Sequence, residues 1–281
     1  MVRLKRSLFL LPFIFSLSFV KADEGRRGTF SLLSYNVAGI HNFFSPLKNK
    51  KNMKAIGERL NHFDMAFLQE NFSYYKRINK VAKFPFKKKA DYRGVLGSGL
   101  MRFSRTPFSD FKRFKWPTCS GIFTRDSDCL ARKGFSRARH EISPGQFVDI
   151  YNIHADAGGH IKDKRARYAQ FKFLLEEIER FSKERAVIVV GDWNLLHEDD
   201  DDELIFFSFL KRGNLTYMCE TLTCEKSGLG NLDRVAFRSG RHIQLSIEDL
   251  YSQENDFFDV KGDPLSDHGA LSMSFQWEKV E

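Results

Sequence analysis

Gln146-Phe147-Val148-Asp149-Ile150-Tyr151-Asn152-Ile153, then Lys164 to Phe181, then Ala186-Val187-Ile188-Val189-Val190 sets the fold class. The first run is strand-like. The second carries Tyr168, Phe171, Leu174, Leu175 and Ile178 at the three-to-four-residue spacing of one helix face. The third is a short, unbroken apolar strand. Strand, helix and strand in alternation make an α/β protein. The pattern extends in both directions. Phe30 to Tyr35 reads as a strand, residues 47–62 as a basic amphipathic helix, and Asp64 to Leu68 as a buried strand ending at Gln69-Glu70. Ala270 to Trp277 reads as the last strand.

The 281 residues show no linker, repeat or low-complexity tract, so residues 23–281 are expected to form a single domain. Hydrophobic residues at 42% and charged residues at 29% exclude a disordered chain. The 29 phenylalanines are read as core, where Phe commonly sits. Residues 1–22 have a different character. Arg3, Lys5 and Arg6 precede an apolar run from Leu8 to Val20, followed by Val20-Lys21-Ala22. This is the layout of a cleaved secretory signal peptide, and the run is too short to span a bilayer as a helix. The expected location is therefore extracellular. The net charge is +9, of which Arg3, Lys5, Arg6 and Lys21 supply four without an acid among them, leaving +5. A mild surplus favours anionic partners without choosing between lipid and nucleic acid. Cys119, Cys129, Cys219 and Cys224 are even in number and suit an oxidising compartment. The local pairs Cys119–Cys129 and Cys219–Cys224 each close a short loop. A zinc site is the rival, but no C-x2-C knuckle is present.

Asn36, Glu70, His154, Asp192, Asn194 and Asp267-His268 each adjoin an apolar, strand-like run. Loops at strand ends are where α/β folds collect catalytic groups. The surrounding blocks are Leu33-Ser34-Tyr35-Asn36-Val37, Phe67-Leu68-Gln69-Glu70-Asn71 and Gly99 to Pro107. Asn152-Ile153-His154-Ala155-Asp156-Ala157-Gly158, Gly191-Asp192-Trp193-Asn194, Leu232-Asp233-Arg234-Val235 and Ser266-Asp267-His268 follow. Each block alone is a weak signal. Together, and in this order, they resemble the endonuclease/exonuclease/phosphatase superfamily over residues 30–277. The resemblance implies a four-layer α/β sandwich, with two packed mixed sheets flanked by helices as in deoxyribonuclease.

Phosphodiester hydrolysis needs a base for water, a hard cation for the non-bridging oxygens and donors for developing charge. The residues present supply each part. Glu70 is a carboxylate at a strand end, and the resemblance makes it the primary ligand of magnesium (or manganese), with Asn36 beside it. His268 is the expected general base, since imidazole titrates nearest neutral pH. The resemblance gives Asp233 the role of orienting it. Asp267 is expected to point away from His268 and join the metal shell. Asp192 and Asn194, flanking Trp193, would share a face on extended backbone, and the resemblance gives this pair the attacking water and the phosphate. His154 is expected to donate to a phosphoryl oxygen or the leaving group, with Asp156 as its substrate-side neighbour or as a turn residue. Asp163, Arg167 and Gln170 suit one helix face in a pairing role. The histidines at 41, 62, 140, 160, 197 and 242 match no block and read as surface or loop residues.

Sphingomyelinases, nucleases and phosphoinositide phosphatases share this catalytic set, so it does not name the substrate. Three features lean towards a phospholipid headgroup at a membrane surface: the export signal, the modest charge, and the segments His154 to Gly158 and Cys129 to Phe135 with Arg137-Ala138-Arg139, which resemble secreted sphingomyelinase-like members more than nucleases. A secreted deoxyribonuclease-like endonuclease, or a phosphoinositide phosphatase delivered to a host cell, is the alternative. No obligate protein partner is evident, and a monomer is expected. Residues 76–89 hold seven Lys/Arg and no acid, with Phe84 and Phe86 interleaved. They are a surface for anionic lipid or a phosphate backbone, or a solvated loop. The run Ile205 to Leu210 reads as core, and the acidic stretch 198–203 as a helix N-terminus.

Overall fold

The structure is a computed structural model and describes residues 25–39, 49–89, 97–121, 129–221, 232–252 and 254–281. The expected signal peptide at 1–22 lies outside these residues, as does Cys224, the expected partner of Cys219.

Elements are numbered in chain order. One sheet runs β11 (Ile243–Ser252), β12 (Leu271–Lys279), β1 (Arg27–Asn36), β2 (Met65–Gln69), β4 (Met101–Ser104) and β3 (Phe86–Lys88). The other runs β5 (Phe108–Lys115), β6 (Gly134–Ser143), β7 (Gln146–His154), β8 (Val187–Asp192), β10 (Asp233–Arg238) and β9 (Thr216–Tyr217). Both sheets are mixed. The parallel pairs are β1 with β2 and β7 with β8. A tight hairpin cannot join parallel neighbours, so each pair needs a crossover. The first contains α1 (Asn49–Arg59) and the second α3 (Ile161–Phe181).

Side-chain alternation builds the layers. On β1 and β2, Leu32, Met65 and Phe67 face the second sheet, while Leu33, Ala66 and Leu68 face the other way. The outward set packs on Met53 and Ile56 of α1 and Ile78 of α2 (Tyr75–Val81). Beyond the second sheet, Phe171, Leu174 and Ile178 of α3 meet Phe206 and Phe209 of α4 (Asp200–Gly213). The order is helices, sheet, sheet, helices, the four-layer sandwich expected. Trp193 sits edge-on to Phe209 at 5.5 Å and tilted against Phe171 at 5.4 Å, so much of the phenylalanine excess is core. Asp199 caps α4 through the backbone N–H groups of Asp201 and Asp202, which explains the acidic stretch.

Two expectations need correcting. The segment 76–89 is α2 and β3 rather than a loop, and Phe84 is buried in the core while Phe86 is exposed. His140 is a buried residue of β6, not a surface one. Arg102 of β4 crosses between the sheets, lies over the Phe67 ring and donates to the Ser136 and Ile150 carbonyls. Its Nη1 lies 2.7 Å from His140 Nε2. Burial, with the Arg102 charge adding, holds His140 well below the ordinary histidine value. Burial likewise lowers Arg102, to about 9.

His140 is therefore neutral in the folded protein, whereas the unfolded chain takes up its proton below about pH 6.5. The sign follows: His140 costs no stability above that pH, and stability is lost as pH falls below it, at about 1.4 kcal/mol per pH unit. Melting curves between pH 7 and 5 should fall less steeply for His140→Gln than for wild type. Parallel curves would refute this source of acid lability.

Candidate active site

Register brings the polar strand ends together. In the second sheet His154, Asp192 and Asp233 are cross-strand neighbours, since β7 pairs His154 with Asp192 and β10 pairs Asp233 with Asp192. In the first sheet Asn36 pairs with Gln69 at the ends of β1 and β2. Gly191 permits the close approach of β8 to β7, because a Cβ there would lie 2.1 Å from the Ile153 carbonyl oxygen. The two sheets are locked beneath the site by a buried bridge. Gln69 Nε2 donates to Asn152 Oδ1 at 2.8 Å, and Asn152 Nδ2 donates to the Leu68 and Met101 carbonyls.

At the mouth, His268 Nδ1 lies 2.6 Å from Asp233 Oδ2. His268 Nε2 faces inward, 3.4 Å from Asn36 Nδ2 and 4.0 Å from Asp192 Oδ2. Ser266 anchors this block to β1 by donating to the Asn36 carbonyl at 2.7 Å. Asn36 Nδ2 also donates to Asp192 Oδ2 at 2.9 Å. His154 is fully buried, with Nε2 3.5 Å from Asp192 Oδ2 and 3.7 Å from Glu70 Oε1, and neither ring nitrogen makes a hydrogen bond. Glu70, Ala38 and Asn194 all have left-handed backbone, with φ of 53°, 43° and 49°. Three such non-glycine residues at one site are a local cost that the surrounding hydrogen bonds must hold in place. The Glu70 carbonyl does so by accepting from the Gly39 and Phe72 amides at 2.9 and 2.7 Å.

The electrostatics divide the groups. Burial alone would lower His268, but Asp233, Asp192 and Asp267 outweigh it and raise His268 to about 10. His154 goes the other way, pushed well below its ordinary value by burial, then by Lys133 and His268. Burial raises Glu70, and it raises Asp192 to about 6 with Asp233 adding. A histidine pushed up beside a histidine pushed down is the separation that acid–base chemistry uses.

Of the remaining residues, Asn194 departs from its expected geometry, while Asp156, Asp163, Arg167 and Gln170 take structural roles. Asn194 is turned rather than extended. Its N–H donates to Asp192 Oδ1 at 3.1 Å and its amide to the Ala155 carbonyl at 3.0 Å, so the pair does not share a strand face. Asp156 is buried and accepts from the Ser120 N–H at 2.7 Å, beside the Cys119–Cys129 disulfide. Its N–H donates to Gln170 and its carbonyl accepts from Arg167, which also clamps Asp202 through two bonds of 2.8 and 2.9 Å. Asp163 forms a capping box with His160. The face of α3 read as a pairing surface thus holds the loop after His154. Asp267 is exposed and accepts from Ser266 Oγ at 3.4 Å. Among the described residues no three His, Cys, Asp or Glu side chains converge as a cation cage. The donor set still fits a hard dication with few protein ligands, because the Glu70 carboxylate is about one-fifth exposed and burial disfavours its charge.

Lys133 escaped the sequence reading. It is buried, its Nζ donates to the Ala155 carbonyl at 3.3 Å, and its charge lowers Glu70, Asp192 and His154 alike. Nothing in the sequence of the segment Cys129 to Phe135 says that this lysine faces inward.

Residues 33–268 match the Endonuclease/Exonuclease/phosphatase family, a span that takes in every block quoted above. The chain belongs to this family. Within the endonuclease/exonuclease/phosphatase family, the sphingomyelinase of Mycobacterium bovis is 29% identical over 269 residues. That match covers 89% of this chain and 53% of the relative, so the chain spans about half the length of the curated relatives it matches. Among solved structures, a Staphylococcus aureus beta toxin mutant with bound magnesium ions superposes with a TM-score of 0.63 at 15% identity, over 88% of this chain and 99% of the other. D. rerio TDP2 with a single-strand DNA product superposes at 0.66 and 18% identity, over 88% and 98%. The fold is shared with both.

Proposed function

We propose that the protein is an exported, magnesium-dependent phosphodiesterase that hydrolyses a phospholipid headgroup at a membrane surface. One observation carries the reading: His268 is held through Nδ1 by Asp233 and presents Nε2 to a pocket that also holds His154, Asp192 and Glu70. In that geometry His268 takes a proton from water as its oxygen bonds to phosphorus, and Asp233 fixes the tautomer that makes this possible. Neutral His154 is placed to donate a hydrogen bond to a phosphoryl oxygen or to the leaving oxygen as the old P–O bond breaks. Asn36, Asp192 and Asn194 orient the water and phosphate, with Asp156 supporting the loop. Glu70 and Asn36, with Asp267 at the rim, would hold magnesium or manganese, whose charge neutralises the non-bridging oxygens.

The lipid half of the proposal is supported by the curated relative, a sphingomyelinase. Export is supported by the Cys119–Cys129 disulfide, which suits an oxidising compartment. The competing reading, nucleic-acid cleavage, draws on the fold shared with TDP2 and its DNA product. Release of phosphocholine from sphingomyelin, set against nicking of plasmid DNA, separates the two. Headgroup release that stops on chelation and returns with magnesium is expected. Nicking without headgroup release would replace the lipid reading with the nuclease one.

A further inference from the structure

Beside the active site, a cleft of about 350 Å³ opens where the edge strand of one sheet passes the edge of the other. Lys112, Arg113 and Lys115 of β5 line it, together with Arg132 from the loop ahead of β6 and the Ser98 hydroxyl. No carboxylate is among the described lining residues. Lys112, Lys115 and Arg132 form no ion pair among the described residues. Aromatic rings set the position of the cations: Lys112 lies over Phe114 at 4.8 Å and Arg113 over Phe111 at 4.8 Å, with Lys88 of β3 over the same Phe111 at 5.5 Å. Two lining residues also adjoin the catalytic groups in sequence. Arg132 precedes Lys133, and Ser98 precedes Gly99, whose carbonyl accepts from the Asn71 N–H next to Glu70.

Lysines on edge strands have an ordinary explanation, since they discourage edge-to-edge pairing with another chain. That explanation suits charges spread along an edge. It does not call for Arg132 from a separate loop, or for four cations around one cavity. Charge concentrated around a cavity whose described lining holds no carboxylate raises the local concentration of anions. A zwitterionic headgroup would set its own cation against Lys112, Lys115 and Arg132. An anionic headgroup would not. The cleft is also a pit of the size that takes one small ligand, rather than a track for a continuous phosphate backbone.

Resting on the phospholipase reading above, we infer that this cleft binds the headgroup phosphate of an anionic phospholipid and seats the catalytic mouth on the membrane beside its substrate. The test reads binding, not turnover, so it fails or succeeds apart from the catalytic reading. Phosphatidylcholine vesicles with roughly a fifth phosphatidylserine, an anionic-leaflet composition, are titrated with full-length protein in chelator. The variant Lys112→Gln/Lys115→Gln/Arg132→Gln should bind at least about tenfold more weakly than wild type, as expected for loss of three near-surface charges. A control removing three exposed charges elsewhere, Lys162→Gln/Arg165→Gln on α3 with Lys183→Gln just after it, should change binding by less than about threefold, because its charges are not gathered on a cavity. Should the triple variant melt early, Lys112→Glu alone keeps the comparison, since Lys112 is exposed. Equal losses in both triples, or none in the cleft variant, would overturn the site. So would duplex DNA binding tighter than vesicle binding and lost in the same variant.

Discussion

Replacing Glu70 by Gln is expected to cut phosphodiester turnover about a thousandfold or more, some 4 kcal/mol of transition-state stabilisation, while the fold loses nothing. The two halves of that result have separate causes. Glu70 directly follows β2 and lies 3.7 Å from His154 Nε2, and its charge is disfavoured by burial and offset by Lys133 and the Asn36 amide. Gln keeps the shape and the hydrogen-bonding reach. It removes a charge that the site holds at a cost, so the melting temperature should stay or rise slightly. What is lost is the anionic oxygen a dication needs. Calorimetric titration with magnesium should show binding to wild type and none to Glu70→Gln, a readout independent of substrate. Wild-type magnesium affinity in the variant would remove Glu70 from the metal site, and an unfolded variant would make its role structural.

The parts of this site that were legible in the sequence are those fixed by register. Strand ends are visible as apolar runs that stop, and β-pairing places the residues that follow them at one edge. Hence Asn36, Glu70, His154, Asp192 and His268 are readable as residues adjoining strand ends, and the α/β class with them, while the four-layer sandwich comes from the family resemblance. What was not legible depends on which way a side chain turns after its strand ends. Asn194 turns back through a left-handed backbone, which a G-D-x-N spacing does not reveal. Asp156 points to the Ser120 amide, a contact set by a loop closed more than thirty residues earlier. His140 alternates on β6 like any strand residue, but its burial is set by Arg102, 38 residues away. Lys133 is the clearest case. A lysine in a loop is usually solvated, and only the packing of β6 against β7 turns this one inward to the Ala155 carbonyl. Long-range contacts of this kind leave no local signal.

The pair His268–Asp233 gives the second large effect, and its pH dependence distinguishes orientation from simple packing. His268→Gln removes the group that takes the proton from water, and should lower turnover by about 10²–10⁴. Asp233→Asn should approach that loss, because an amide at 2.6 Å from Nδ1 no longer selects the tautomer with Nε2 open toward Asp192 and Asn36. Groups that act as a unit are not additive, so the double variant should be little worse than His268→Gln alone. The charge argument adds a direction. Burial by itself lowers His268, and the carboxylates, Asp233 foremost, raise it to about 10 in the metal-free protein. Removing the Asp233 charge must therefore lower it. A base acts in its neutral form, so activity rises with pH through the histidine's titration. The Asp233→Asn limb should shift to lower pH even as its plateau falls. Histidine resonances followed by NMR in chelator give the same comparison without turnover: wild-type His268 should titrate far above the ordinary value near 6.5, and the variant closer to it. A limb that stays in place while the plateau drops would show that Asp233 only supports the fold there, and the base would have to be sought in another residue.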